Sequence, residues 1–173
     1  MPAGPIVVVM GVAGCGKSTV GSLLADRLPA PYAEADSFHP PANVAKMAAG
    51  QPLDDTDRAP WLRAIAAWVR SQDGTGTAGV VSCSALKHRY REVLRAASPR
   101  VWFLHLAADR ELITRRVAGR PGHFMPASLV DSQFGDLEPL RPDEAGLTVD
   151  AGTPAGEIAR LVVARFSADP ADR

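Results

Sequence analysis

The stretch GVAGCGKST, Gly11 to Thr19, constrains what this chain can fold into more than any other. It follows the apolar run IVVVM and precedes VGSLLADRL, where Val20, Leu23, Leu24 and Leu28 recur at helical spacing. A short run that is apolar at every position reads as a central parallel strand, covered on both faces. Glycines at such a strand-to-helix junction cost backbone entropy on folding. A ligand coming close to the backbone would account for them.

Gly11, Gly16, Lys17 and Ser18 fit the spacing G-x-x-x-x-G-K-[ST]. In that pattern the loop Gly11, Val12, Ala13, Gly14, Cys15, Gly16, Lys17, Ser18 and Thr19 turns its N–H groups and a helix N-terminus toward a phosphate chain. Lys17 is expected to reach the β- and γ-phosphates and the Ser18 hydroxyl to ligate Mg²⁺. A dinucleotide fingerprint is the rival: Gly14 and Gly16 open a G-x-G-x-x-G frame, and Asp36 stands about where its ribose-binding acid would be. That frame needs a small residue at position 19, where Thr19 stands, and gives Lys17-Ser18 no role. Phosphate binding alone leaves open nucleotide hydrolases, nucleotide kinases and small-metabolite kinases.

Downstream, apolar runs alternate with helical patterns, the rhythm of stacked βαβ units around a parallel sheet. Strands are expected at YAEAD, VVSCS, RVWFLHL and LTVD. Helices are expected after the HPP corner (capped by Gly50), from an N-cap at Asp57 with Pro60 in its first turn, and over HRYREVLRAA, DRELITRRVAGR, ASLVDSQFGDL and PAGEIARLVVARF. Trp61, Ile65, Trp68 and Val69 form the apolar stripe of the second of these. The expected organisation is one domain over residues 1–166 and a frayed tail at 167–173, since 173 residues suffice for one sizeable core. With 19 basic and 19 acidic residues, no global field favours nucleic acid or an anionic membrane, so any anion affinity must be built locally. Two cysteines make no disulfide framework, and the longest early apolar run is too short for a membrane span; the expectation is a cytoplasmic protein.

In an open parallel sheet, ligands bind beyond the carboxyl ends of the strands. Asp36, at the end of the second strand, can accept the proton of an attacking hydroxyl or hold a metal-bound water; alone it would be an ordinary turn aspartate. His39 and Asn43 are either readers of a hydroxylated substrate or a loop histidine and a helix cap. After the third strand Ser82, Cys83 and Ser84 stand where a metal-supporting aspartate usually ends it, which shifts that duty toward Asp36. Ser84, Lys87, Tyr90 and Arg91 follow; Lys87 and Arg91 share a helical face, either to pair a carboxylate or as a solvated basic face. Arg116 and Arg120, four apart before the loop PGHFMP, are expected in a lid at about 116–127 that closes over the transferring phosphoryl group. Arg115 is expected to pair with Glu111.

GVAGCGKSTVG, ADSFHPPANVAKMAAGQPLDDTDRAPWL, CSALKHRYREVLR and GHFMPASLVDSQFGDLEPL together resemble the gluconokinase family, from about Ile6 to Glu144. The blocks GQPLDDTDRAPWL and HFMP…SQF are specific to that family; the phosphate loop is not. The resemblance implies an α/β three-layer P-loop NTPase fold of the adenylate-kinase type, a five-stranded parallel sheet in the order 2-3-1-4-5 with a small lid. It implies ATP and Mg²⁺ as cofactors, in-line phosphorylation of D-gluconate at its C6 hydroxyl to 6-phosphogluconate within gluconate catabolism, and a homodimer. Gluconate carries one carboxylate and several hydroxyls. On this reading Arg58, Lys87, Tyr90 and Arg91 supply the carboxylate side, and Asp36, His39, Asn43, Lys46 and Gln133 read hydroxyls. Other acceptors such as shikimate, or a nucleotide-binding regulator without catalysis, are the alternatives. Cys15 stands where these loops often have serine; it is either a thiol open to oxidation or simply a small residue.

Overall fold

The computed structural model describes residues 3–118 and 127–167. Its elements are β1 (Ile6–Met10), α1 (Lys17–Arg27), β2 (Tyr32–Glu34), a 3₁₀ turn (Ala35–Phe38), α2 (Pro41–Ala48), α3 (Asp55–Thr75), β3 (Gly79–Ser82), α4 (His88–Arg95), β4 (Val101–Ala107), α5 (Arg110–Ala118), α6 (Ala127–Asp136), β5 (Gly146–Asp150) and α7 (Ala155–Ser167). All four strand pairings are parallel, in the order β2-β3-β1-β4-β5, as the resemblance implied.

The three layers follow from alternation along β1, whose residues are all fully buried. Ile6, Val8 and Met10 face one side, where Trp61, Leu62, Ile65 and Val69 of α3 and Tyr90 and Leu94 of α4 cover the sheet. Val7 and Val9 face the other, under Val20 and Leu24 of α1, Ile113 of α5 and Ile158 and Val162 of α7. Burying each such side chain is worth about 1.5–3 kcal/mol, and removing β1 would strip both layers at once. Among the described residues no helix is long and apolar enough to cross a membrane.

Two sequence expectations about α3 are corrected. Its N-cap is Asp54, whose side chain accepts from the Asp57 N–H (2.8 Å), while the Asp57 carboxylate accepts from the Asp54 N–H (3.0 Å). Asp57 is therefore the third helical residue of a capping box, a pattern that DDTD satisfies in only one register. Pro60 consequently falls inside the helix, past the first turn. Burial of Trp61, Leu62 and Ile65 immediately after it carries the helix through a residue that removes one backbone bond. The cap expected at Gly50 is present, with φ +75° and its N–H donating to the Met47 carbonyl at 3.0 Å.

Candidate active site

The phosphate loop is shaped by Gly11 and Gly16, whose positive φ would strain any residue with a side chain. Gly11 has φ +146°, and a Cβ there would lie 2.6 Å from Cys15 Sγ and 2.9 Å from the Leu106 carbonyl oxygen. Gly16 has φ +103° and is the N-cap of α1, which carries no side-chain cap. The first turn of α1 is left open toward the loop, where its unsatisfied N–H groups and partial positive charge favour an anion. Lys17 arches back over the loop, Nζ donating to the carbonyls of Gly11 (3.0 Å) and Val12 (3.1 Å). Ser82, where a metal-supporting acid was missed, donates Oγ–H to the Lys17 carbonyl (2.9 Å) and so ties β3 to α1. The Cys15 side chain is turned into the core at 1% exposure, so the oxidisable-thiol expectation is not supported: the position needs a small residue that packs over Gly11.

Two cavities flank this loop. The larger, about 550 Å³, is lined by Ala13, Lys17, Asp36, His39, Arg58 and Gln133 among others, with Ser84 and Trp61 at its wall. The smaller, about 270 Å³, lies on the other side against Cys15, Gly16, Thr19 and Val20, closed by Arg116 and by Ala151 and Thr153 of the β5–α7 turn.

Asp36 sits in the 3₁₀ turn, exposed, and among the described residues its carboxylate accepts no hydrogen bond. His39 stacks on Trp61 with ring centroids 4.5 Å apart and planes within 9°. Trp61 is itself fixed by Nε1 donating to the Ala35 carbonyl (2.7 Å). Burial lowers the pKa of His39, against the pull of Asp36 and with the help of Arg58, so the ring is neutral at pH 7. Asn43 Nδ2 donates to the Asp57 carbonyl (2.8 Å) and lies 3.1 Å from His39 Nδ1. A nitrogen that only donates makes Nδ1 the acceptor and puts the ring proton on Nε2. His39 thus offers one donor from a rigid platform.

Several expected readers of the substrate are engaged elsewhere. Asn43 is 3% exposed and spent on His39 and the α3 backbone. Lys46 pairs with Asp57 at 2.6 Å, which raises the lysine pKa and lowers that of the aspartate, and it does not line the larger cavity. Tyr90 is buried, its hydroxyl donating to Asp55 and accepting from Arg58 Nη1 (2.8 Å). Arg89 and Tyr90 hold the Asp55 carboxyl down to about 2. Lys87 lies 3.6 Å from Asp55 and 3.9 Å from Asp136, outside the cavity lining.

Arg91 is fully buried, pairing Nε with Glu144 Oε1 (2.9 Å) and Nη2 with Oε2 (3.1 Å). Its Nη1 binds the carbonyls of Ala85 (2.9 Å) and Leu86 (3.2 Å). Ala85 has φ +43°, a strained conformation for an alanine, and this guanidinium holds the turn that presents Ser84 and Leu86 to the cavity. Arg91 builds the site and does not reach into it. Among the cations expected to meet a substrate carboxylate, Arg58 alone lines the cavity; Lys17, also in that wall, belongs to the phosphate loop.

Arg116, expected both to bind ATP and to close over the transferring phosphoryl group, is held beside the phosphate loop. Nη1 donates to the Cys15 carbonyl and Nη2 to the Ala151 carbonyl, both at 2.7 Å, so the guanidinium closes the smaller cavity and does not face the larger one. Arg120 and most of the expected lid, 119–126, lie outside the described residues; of the rest, 116–118 end α5 and 127 begins α6. The described ion pairs do not include Arg115 with Glu111.

For a divalent cation, the Ser18 hydroxyl at the open turn of α1 and the unpartnered Asp36 carboxylate are hard oxygen donors of the kind Mg²⁺ takes. Another cluster of metal-ligand types, His88, Glu92 and Glu144, has its buried carboxylate already filled by Arg91, His88 and the Arg141 N–H. Burial alone would raise the Glu144 pKa, but these donors outweigh it and lower it.

A parallel sheet with a phosphate loop after its central strand, an acid after the neighbouring strand and a second cavity beside the loop defines a P-loop kinase of small molecules. The shikimate kinase family model matches residues 13–134. A gluconokinase of Gluconobacter oxydans is 44% identical over 94% of this chain and 92% of its own length. The thermosensitive gluconokinase of Escherichia coli is 44% identical over 82% and 76%. Among solved structures, a gluconokinase from Sinorhizobium meliloti superposes with a TM-score of 0.86 at 40% identity, covering 96% of this chain and 94% of that one. A shikimate kinase from Aquifex aeolicus, at 15% identity and a TM-score of 0.58, shares the fold alone. The chain belongs to the gluconokinase family, within the wider shikimate-kinase-like group of P-loop kinases.

Proposed function

We propose that this protein transfers the γ-phosphoryl group of ATP directly to the C6 hydroxyl of D-gluconate, giving 6-phosphogluconate and ADP. The observation that carries the reading is the larger cavity, which brings Lys17, Asp36, His39 and Arg58 into one wall. Arg58 already gives Nη1 to Tyr90 and Asp136 (3.3 Å), and the rest of its guanidinium supplies the fork that a sugar-acid carboxylate needs. His39 Nε2 and Ser84 read hydroxyls. Asp36 orients the reacting hydroxyl and takes its proton, with no base competing for that place among the described lining residues. Lys17 leaves the loop carbonyls for the transferring phosphoryl group, and the open turn of α1 holds the phosphate chain. Arg116 and the β5–α7 turn enclose the adenosine side. Mg²⁺, held by Ser18 and through water by Asp36, neutralises phosphate charge when bound. The proposal includes a cytoplasmic homodimer that feeds gluconate into sugar-acid catabolism.

Shikimate is the competing acceptor, because the matching family model carries that name. Gluconate is favoured by the gluconokinase relatives and by a cavity wall in which one guanidinium stands among several small polar groups. The test is coupled ADP release from ATP·Mg²⁺ with D-gluconate, shikimate, AMP or no acceptor. Turnover with gluconate alone is expected. Turnover with shikimate would replace the acceptor, and silence with every acceptor despite nucleotide binding would favour a regulator.

A further inference from the structure

The N–H groups of the phosphate loop are divided between two uses. Gly11 donates to the Ser84 carbonyl (3.2 Å) and Cys15 to Val12 (3.2 Å), while those of Gly14, Gly16, Lys17 and Ser18 meet no protein acceptor among the described residues. Ala13 differs: its N–H donates to Oε1 of Gln133 at 2.6 Å, across 120 residues of sequence. Cys15 and Gly16 line the smaller cavity, whereas Ala13 and Gln133 both line the larger one. The amide that a distant side chain fills is therefore the one at the acceptor edge of the loop.

A backbone N–H needs an oxygen, so the orientation of the Gln133 carboxamide is settled: Oε1 holds Ala13, and the Nε2 amide has no acceptor among the described residues. Gln133 lies one helical turn from Asp136, on the same side of α6, and Asp136 pairs with Arg58 (3.3 Å) and Lys87 (3.9 Å). Just beyond α6, the Glu138 N–H donates to the Leu86 carbonyl and the Glu138 carboxylate accepts from the His88 N–H, both at 2.7 Å. The last turn of one short helix thus touches the phosphate loop through Gln133 and the cavity's guanidinium through Asp136.

We infer that Gln133 is a positioning residue that couples occupancy of the acceptor cavity to the phosphate loop. An acceptor carboxylate on the free edge of Arg58 shares the guanidinium's charge with Asp136 and so loosens that pair, and the Nε2 amide meets the hydroxyl or phosphoryl oxygen that fills the cavity. Both act through α6 on Ala13, so acceptor and nucleotide change each other's affinity by one common factor. The inference rests on the proposed reading of the larger cavity as the acceptor site.

The test uses the full chain, with AMP-PNP·Mg²⁺ titrated calorimetrically with and without saturating D-gluconate, in wild type, Gln133→Leu and Gln133→Glu. Amide exchange at Ala13 is followed by NMR in the ligand-free protein. The wild type is expected to change AMP-PNP affinity by about fivefold or more on adding gluconate, with Ala13 protected from exchange. Gln133→Leu is expected to lose both the protection and the coupling. Gln133→Glu keeps an oxygen for Ala13 but has no Nε2 donor, so it keeps the protection and only the part of the coupling that runs from Arg58 through Asp136. Both should lower kcat more than they raise KM for ATP, with melting temperatures near wild type.

An unprotected Ala13 in the wild type, or a coupling factor unchanged in both variants, would overturn the inference. So would a rise in KM for gluconate with kcat and coupling unchanged, which makes Gln133 a hydroxyl reader only. If another acceptor turns over in the coupled assay, the gluconate reading falls and the coupling is measured with that acceptor. If none does, both fall.

Discussion

At the scale of single residues, the proposed mechanism gives the phosphate loop and the acid after β2 separable work. Gly11→Ala combines a left-handed φ with a Cβ that meets Sγ of Cys15 and a backbone oxygen. Such strain costs about 1–3 kcal/mol, so the melting temperature should fall by roughly 2–12 °C for a chain of this size, as a calorimetric scan would read. Lys17→Met should leave the melting temperature near wild type and lower kcat by orders of magnitude in the coupled assay; near-normal turnover would remove Lys17 from the chemistry. Asp36→Asn should lower kcat far more than ATP affinity, and a variant that chiefly weakens binding of ATP·Mg²⁺ would assign Asp36 to the metal. Lys17 and Asp36 were both legible in the sequence, because each stands beside a strand end whose position the apolar run already announces. Arg58 was legible only as one of several cations. That it faces the cavity while Arg91 does not depends on which side of α3 and α4 meets the sheet.

At the scale of elements, the segment after α6 is locked to α4 through Glu144, which serves Arg91, His88 and the Arg141 N–H together. Removing one partner of a fully buried pair leaves an uncompensated charge, a loss of about 3–5 kcal/mol. Glu144→Ala should therefore shift the urea midpoint strongly downward. Arg91→Leu combined with Glu144→Leu should lose less than the two single changes summed, and an additive result would show that the groups act independently. Nothing in local spacing distinguishes a buried arginine such as Arg91 from an exposed one four residues after Lys87. The deciding acid lies 53 residues away. The same limit explains the misplaced cap of α3: Asp54 and Asp57 both suit an N-cap, and the reciprocal bonds that choose between them appear only once the helix has formed.

At the scale of the whole molecule, the sheet encloses a histidine with no hydrogen-bond partner among the described residues. His105 on β4 is 4% exposed, and among the described residues neither ring nitrogen has a hydrogen-bond partner. Burial lowers its pKa below the ordinary 6.5, and Arg91 nearby adds to that. The unfolded chain takes up this proton near 6.5 while the folded protein resists it, so stability is full above pH 6.5 and declines as pH falls below it. His39, with its pKa lowered in the same direction, adds to the slope. His105→Leu should reduce the acid-side loss between about pH 6.5 and 5 and raise stability at pH 7, since two buried polar atoms disappear. Unchanged pH dependence by urea unfolding at several pH values would refute this.

The residue order alone determined the P-loop after a doubly buried strand, the alternation of strands and helices, and the acid positioned after β2, since each depends on neighbours within a few residues. Only the tertiary structure decided which cation faces the larger cavity, where Arg116 rests, and that a glutamine from α6 closes on Ala13. Those choices are made by packing two helical layers against one sheet. Burial and hydrogen bonding between residues far apart in sequence then select one partner from several chemically equivalent candidates.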